Sequence, residues 1–257
     1  MGAIERGSLV NHQEHCDALE VEVERFALTM NTVDGAAPVH SCPGWSVLDV
    51  AEHLGTIHRW ADELVQRRSG DRIPRPALEL REGDVSPAWI REGGHRLVAT
   101  LRAANPDDTM WAWGVDQHVR FWSRRQLHET LVHRMDIELA GDEVPASSIE
   151  VAVDAIDEFL ANIQTAAKSS STVSSIRGTG ERLGIRDLES GATWMIALSE
   201  EGFRVSAGAG TTSAEIAGPS VDLLLVLCRR RAPGERGVTL SGDRQLATYW
   251  LERSLFE

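Results

Sequence analysis

Apolar residues recur at helical spacing over four long segments in the first 140 residues of the chain. These segments cover approximately residues 9–30, 46–68, 87–104 and 121–140. Ser46 with Asp49 three positions later predicts an N-terminal capping box, and Ser86 followed by Pro87 predicts an N-cap and a first helical residue. Four such helices in succession predict a four-helix bundle.

The hydrophobic period changes after residue 175. Residues 149–167 still repeat the helical pattern, and a serine-rich run at 169–175 predicts a flexible connection. Short segments of alternating polarity follow, which predict antiparallel strands, and then a helix, a last strand and a terminal helix. The sequence therefore predicts a helical domain over residues 1–168 and a small α+β domain over residues 176–257.

The composition narrows the class of protein. The longest strongly apolar run, residues 223–228, is too short to cross a bilayer, and the initial MGAIERGSLVNHQEH has no apolar signal core. A formal net charge of −13 opposes binding to nucleic acid or to an anionic membrane. The three cysteines are scattered, which indicates core residues in a reducing compartment. We therefore expect a cytoplasmic protein.

The fourth segment, FWSRRQLHETLVHRMDIELA, contains the most informative polar pattern. It has no Gly or Pro, and residues three and four apart share one face of a helix, so Gln126, Glu129, His133 and Asp136 form one polar stripe. A solvated face explains such a stripe. So does a metal site, if a third ligand comes from another helix.

A zinc-protease motif does not fit this segment. His128 and Glu129 begin like the HExxH motif, but His133 is five residues after His128, so the two imidazoles point in different directions. The candidate third ligand is His53, at the edge of the apolar face of the second helix. A histidine in that position is also compatible with a hydrogen-bonded core residue.

Five segments together resemble the mycothiol-dependent maleylpyruvate isomerase family. They are PGWSVLDVAEHL, HETLVHRMD, RDLESGATWMIAL, AEIAGPSVDLLLVLCRRR and GDRQL, in this order along the chain. The resemblance implies a DinB-like metal-binding bundle followed by a sterol-carrier-like α+β domain. It also implies that His53, Glu129 and His133 bind one divalent metal, usually zinc.

Two imidazoles and one carboxylate leave an open coordination position, which is typical of a catalytic zinc site. A thiol bound there loses its proton, and the resemblance implies that this thiol is mycothiol. The expected function is thiolate addition to a small electrophilic substrate, either as cis–trans isomerisation or as S-transfer. A non-catalytic metal- or thiol-binding regulator is the alternative.

The resemblance also implies a functional arginine after the apolar helix of the second domain, and Arg229 is the best match. It would bind an anionic substrate, although Arg229 to Arg231 also suit the C-terminal end of a helix. Asp136 and Gln126 either orient the metal ligands or face water. We expect Trp45 to anchor its loop by packing, without a chemical role.

Overall fold

A computed structural model describes residues 11–75 and 84–255. Over these residues the chain forms eight helices and five strands, which divide into two compact units between Ala146 and Ser147. Across the described residues, every helix falls short of the length or the apolarity that a membrane crossing requires. Residues 1–10, which hold most of the initial segment and the predicted start of the first helix, lie outside the described residues.

The first unit is the predicted four-helix bundle. Its helices are α1 (His12–Thr29), α2 (Val47–Arg67), α3 (Pro87–Ala103) and α4 (Val119–Ala140). Both α1 and α2 pack against α3 and α4. The predicted capping box is present, since the Ser46 hydroxyl accepts from the Asp49 amide and the Asp49 carboxylate accepts from the Ser46 amide at 2.8 Å. The Ser86 hydroxyl caps α3 by accepting from the Trp89 amide at 3.2 Å.

A glycine pair within α3 allows the close approach of α1. A Cβ atom added at Gly94 would lie 2.6 Å from both γ-carbons of Val23 on α1. This distance is well short of van der Waals contact, and the branched Val23 side chain lies in a packed core, where it cannot move away without strain. Gly93 and Gly94 lower the intrinsic helix propensity of α3. In return, the absence of side chains at these positions lets the neighbouring helices approach the α3 backbone closely.

The second unit combines helices with one mixed sheet. Its elements are α5 (Ile149–Ala166), α6 (Ser171–Ser174), β1 (Arg182–Asp187), β2 (Thr193–Ser199), β3 (Gly202–Ala207), β4 (Ala214–Gly218), α7 (Ser220–Leu227), β5 (Thr239–Gly242) and α8 (Arg244–Arg253). The strand order is β3-β2-β1-β4-β5. The prediction of antiparallel strands was wrong for one pair, because β1 and β4 run parallel, with Ile185 opposite Ile216. Alternation of polarity identifies a strand but carries no information about its direction.

The boundary between the units differs from the predicted one. Helix α5 packs against α7 and β3, and the Trp194 indole on β2 donates to the Asp157 carboxylate on α5 at 3.0 Å. The fifth helix therefore belongs to the second unit. The serine-rich run forms α6 within the same unit, and the Tyr249 hydroxyl donates to the Ser175 carbonyl at 3.2 Å.

Candidate metal centre

Helices α2 and α4 bring three predicted ligands together. The His53 Nε2 atom lies 3.3 Å from Glu129 Oε1, and the His133 Nε2 atom lies 3.4 Å from the same oxygen. The three candidate ligand atoms all lie within 4.8 Å of one another. Glu129 and His133 are one turn apart on α4, and the packing of α2 on α4 places His53 opposite them.

The residues present fit a divalent cation. A tetrahedral zinc ion with bonds of about 2.0–2.1 Å separates its ligand atoms by roughly 3.3–3.4 Å. Both distances to Glu129 Oε1 have this length. Two imidazole nitrogens with one carboxylate oxygen are also a common donor set for zinc sites that retain an open position.

Arg125 orients the carboxylate of this cluster. Its Nη2 atom donates to Glu129 Oε2 at 2.6 Å, one turn earlier on α4, and so leaves Oε1 directed at the two imidazoles. Burial would raise the pKa of Glu129, but the charge of Arg125 and hydrogen bonds from His133 and His53 hold this pKa well below its ordinary value. Glu129 is therefore ionised, as a metal ligand must be.

Asp136 orients His133 from the other side of the imidazole ring. Its Oδ2 atom lies 2.9 Å from His133 Nδ1, and the carboxylate is buried. Burial would lower the pKa of His133, but hydrogen bonds to Asp136 and Glu129 raise it to about 9. Of the two roles that we considered for Asp136, the structure therefore shows the orienting one rather than a solvated side chain.

Gln126, the remaining member of the polar stripe, is buried, and its side-chain oxygen has no hydrogen-bond partner among the described residues. It therefore orients none of the three candidate ligands through that atom. His58 is also buried, and its Nε2 atom lies 2.9 Å from the Thr130 hydroxyl. Burial lowers the pKa of His58 to about 3, so this imidazole is neutral and belongs to the core.

Two features that contact the candidate ligands or their partners were not identified from the sequence, namely the loop before α2 and the side chain of Arg125. The loop before α2 places Ser41 and Cys42 against Asp136 and places Trp45 against His53. Trp45 therefore contacts a candidate ligand, in addition to its expected packing role. A loop has no periodicity that would reveal such contacts. Arg125 could have been found, because it lies four residues before Glu129 and so shares its helix face.

Arg229 lies in the second unit, directly after α7, and its backbone adopts an unusual conformation. Its φ angle of 59° is in the left-handed region, where glycine is the usual residue after a helix. The Arg229 amide donates to the Val226 carbonyl, and the Arg230 amide donates to the Leu225 carbonyl. This hydrogen-bond pattern is a Schellman motif that ends α7.

The side chains of the three consecutive arginines differ in their surroundings. Arg231 forms an ion pair with Asp222, and Arg230 donates to the Cys228 carbonyl at 2.9 Å. Arg229 is exposed, and within the described part of the chain its guanidinium has no hydrogen-bond or ion-pair partner. Among the three, the Arg229 side chain is the best placed to bind an external anion, and its functional role stays a prediction.

The fold and the cluster define a helical-bundle protein with a candidate divalent-metal site, followed by a small mixed α+β domain. Comparison with family models gives two matches. Residues 16–138 match the mycothiol maleylpyruvate isomerase N-terminal domain, and residues 150–248 match the C-terminal domain of the same family. The chain therefore belongs to the mycothiol maleylpyruvate isomerase family, which is a family of enzymes.

The solved structures that share this fold include the following two. One is a mycothiol-dependent maleylpyruvate isomerase, with 16% sequence identity and a TM-score of 0.55. The other is a histidine-to-alanine variant of a mycothiol-dependent maleylpyruvate isomerase, with 15% identity and a TM-score of 0.54. Each alignment covers 94% of this chain and 96% of the other. Comparison with the curated proteins finds no match.

Proposed function

We infer that this protein is a cytoplasmic, metal-dependent enzyme that uses mycothiol as a thiol cosubstrate. The observation that carries this proposal is the convergence of His53 Nε2, Glu129 Oε1 and His133 Nε2 within 4.8 Å. Zinc or another divalent metal suits this donor set. Membership of the mycothiol maleylpyruvate isomerase family supports the choice of thiol.

The side chains of the cluster have separate tasks in this proposal. His53, Glu129 and His133 would hold the cation, which supplies a positive charge that lowers the pKa of a nearby thiol so that the thiolate forms at neutral pH. Arg125 keeps Glu129 Oε1 directed at the imidazoles, and Asp136 keeps the proton of His133 on Nδ1, so that Nε2 carries the free lone pair.

Isomerisation is the first candidate reaction. The thiolate of mycothiol adds to one carbon of the cis double bond of maleylpyruvate, and the electron pair moves onto the conjugated carbonyl. The former double bond is then a single bond and rotates. Return of the electron pair expels the thiolate and gives fumarylpyruvate, so that no thiol is consumed. Arg229 would bind a carboxylate of this anionic substrate, because a guanidinium forms bidentate pairs with carboxylates.

S-transfer is the second candidate reaction, and it shares the first step. The thiolate either adds to an electrophilic double bond, after which the resulting anion takes up a proton, or displaces a leaving group, which departs with the electron pair of the broken bond. The thioether product then leaves the site. The metal cluster serves both reactions equally, because it acts on the thiol rather than on the acceptor. The properties of the acceptor therefore decide between the two outcomes.

The test combines metal analysis with turnover. Purified protein should contain about one divalent metal ion per chain, and with mycothiol it should convert maleylpyruvate to fumarylpyruvate without net loss of thiol. Consumption of thiol with an electrophile panel would identify an S-transferase instead. Saturable binding of mycothiol without any conversion would refute the enzyme proposal in favour of a regulator.

Variants connect the outcome to the cluster. His53→Ala should lose metal and turnover while the bundle remains folded, as monitored by circular dichroism. The matched control is His95→Ala, which removes an exposed imidazole from α3 of the same unit and should leave both unchanged. Full metal content in His53→Ala would remove this residue from the ligand set.

A further inference from the structure

The loop of residues 39–45, which precedes α2, contacts the orienting partner of one candidate imidazole ligand, His133, and the ring of the other, His53. It is tied to itself by three backbone hydrogen bonds of 2.9–3.0 Å, from the Val39 amide to the Trp45 carbonyl, from the Cys42 amide to the Val39 carbonyl and from the Trp45 amide to the Cys42 carbonyl. A β-bridge between Pro38 and Ser46 closes it at the base. The 39–45 loop is therefore a fixed part of the bundle.

On one side, the loop holds the carboxylate that orients His133. The Ser41 hydroxyl donates to Asp136 Oδ1 at 2.6 Å, and the Cys42 thiol donates to Asp136 Oδ2 at 3.8 Å. Asp136 Oδ2 also lies 2.9 Å from His133 Nδ1. A buried carboxylate takes the orientation that its hydrogen-bond donors impose, because leaving a lone pair unsatisfied costs free energy. Ser41 thus fixes the rotation of Asp136, and Asp136 fixes the ring of His133.

On the other side, the loop holds the ring of His53. The Trp45 indole packs on this imidazole with ring centroids 5.1 Å apart and an interplanar angle of 54°. Within the described residues, no protein group hydrogen-bonds His53 Nδ1, whereas His133 has the Asp136 carboxylate at its Nδ1. The rotation of the His53 ring is restricted by Glu129 at Nε2, by the edge-on His133 ring at 5.1 Å and, from the loop, by the Trp45 indole. The indole is 37% exposed, so it lies at the solvent side of the cluster.

We propose that the 39–45 loop is a positioning element for the cation site, acting on His133 through Ser41 and Asp136, and on His53 directly through Trp45. Ser41 touches Asp136, the partner of His133, and Trp45 touches the ring of His53. Neither residue touches the reacting atoms, so both are positioning residues. This positioning role rests on one part of the proposed function, namely that the cluster binds a divalent metal.

The test measures metal affinity and coordination geometry rather than turnover. Zinc affinity is measured by competition with a chromophoric chelator, and geometry by the visible absorption of the Co²⁺-substituted protein. Loss of a direct partner of a metal ligand usually weakens metal binding by about 10- to 100-fold. Ser41 acts through Asp136, so Ser41→Ala should weaken zinc binding by up to about 10-fold, and it should change the Co²⁺ spectrum. Ser41→Thr retains the hydroxyl and should restore both.

Trp45→Leu should weaken zinc binding and change the Co²⁺ spectrum, while Trp45→Phe retains an aromatic face and should stay close to wild type. His40→Ala is the matched control, since His40 is exposed in the same loop. Circular dichroism of the metal-free variants checks folding. If Ser41→Ala does not fold, Ser41→Val takes its place, because it has the shape of the threonine variant without the hydroxyl and should weaken zinc binding in the same way.

The outcomes separate this inference from the proposed function. Wild-type zinc affinity and an unchanged Co²⁺ spectrum in both Ser41→Ala and Trp45→Leu would overturn the positioning role, and would leave the metal site itself intact. Failure of the wild-type protein to bind any divalent metal would overturn the proposed function and the positioning role together.

Discussion

Binding of a metal to the metal-free protein should release a proton from His133. The pKa of this imidazole is about 9, because hydrogen bonds to Asp136 and Glu129 outweigh the effect of burial. At pH 7.5, a group with this pKa is protonated in roughly 97 of every 100 molecules. A metal ligand must be deprotonated, so binding at pH 7.5 should release close to one proton from His133.

The perturbation that tests this reasoning is Asp136→Asn, which removes the negative charge next to Nδ1 of His133 while retaining a side chain of similar shape. The pKa of His133 should then fall towards its ordinary value of about 6.5, at which only roughly one molecule in ten is protonated at pH 7.5. The release from His133 should fall accordingly. In the wild-type protein, the apparent metal affinity should also increase about tenfold between pH 7 and pH 8.

Isothermal titration calorimetry measures this release directly. Zinc is titrated into the metal-free protein in several buffers of different ionisation enthalpy, and the slope of the observed enthalpy gives the number of protons released. A wild-type value near zero would show that His133 is neutral before the metal binds. An equal release from wild type and Asp136→Asn would show that Asp136 does not control the protonation of His133.

Three further predictions concern stability. The pKa of His133 is raised in the folded state, so protonation of this imidazole stabilises the metal-free protein. This stabilisation is fully present below pH 6.5 and is lost as the pH rises through 9. The thermal midpoint should therefore fall over this range, and it should fall by less in Asp136→Asn. Arg229→Gly should raise the free energy of unfolding, measured in urea, by about 1 kcal/mol, because glycine adopts the left-handed backbone conformation of this position without steric strain. The same variant should impair turnover of an anionic substrate. Arg230→Gly is the control, and it should gain no stability. Gly94→Ala should destabilise the bundle by about 1–3 kcal/mol in the same assay, because its Cβ atom would overlap Val23, whereas Gly70→Ala has open space and should be nearly neutral.

The bundle and two of the three candidate ligands could be predicted from the sequence. Helical periodicity and caps such as Ser46 are local properties, and the spacing of Glu129 and His133 places them on one face of any helix. The proximity of His53 to Glu129 and His133 depends on how the helices pack in the tertiary structure. Its selection depended on the family resemblance, and the packing of α2 on α4 agrees with it.

The remaining features depend on tertiary contacts that a linear pattern does not contain. The apolar face of α5 shows that this helix packs on something, but not that its partners are α7 and β3. The alternation within β4 does not state that β1 lies parallel to it. Ser41 and Trp45 reach the cluster through the path of a loop, and their distance in sequence from Asp136 leaves no signal.

The separation of His53 and Glu129 by 76 residues has a consequence for the lifetime of the protein. An ion that requires both side chains acts as a cross-link that exists only after α2 has docked on α4. Free metal at a thousand times its dissociation constant would add about 4 kcal/mol to the stability of the folded chain. Cells starved of that metal should therefore degrade this protein faster, so that its abundance follows metal supply even when its transcription does not change.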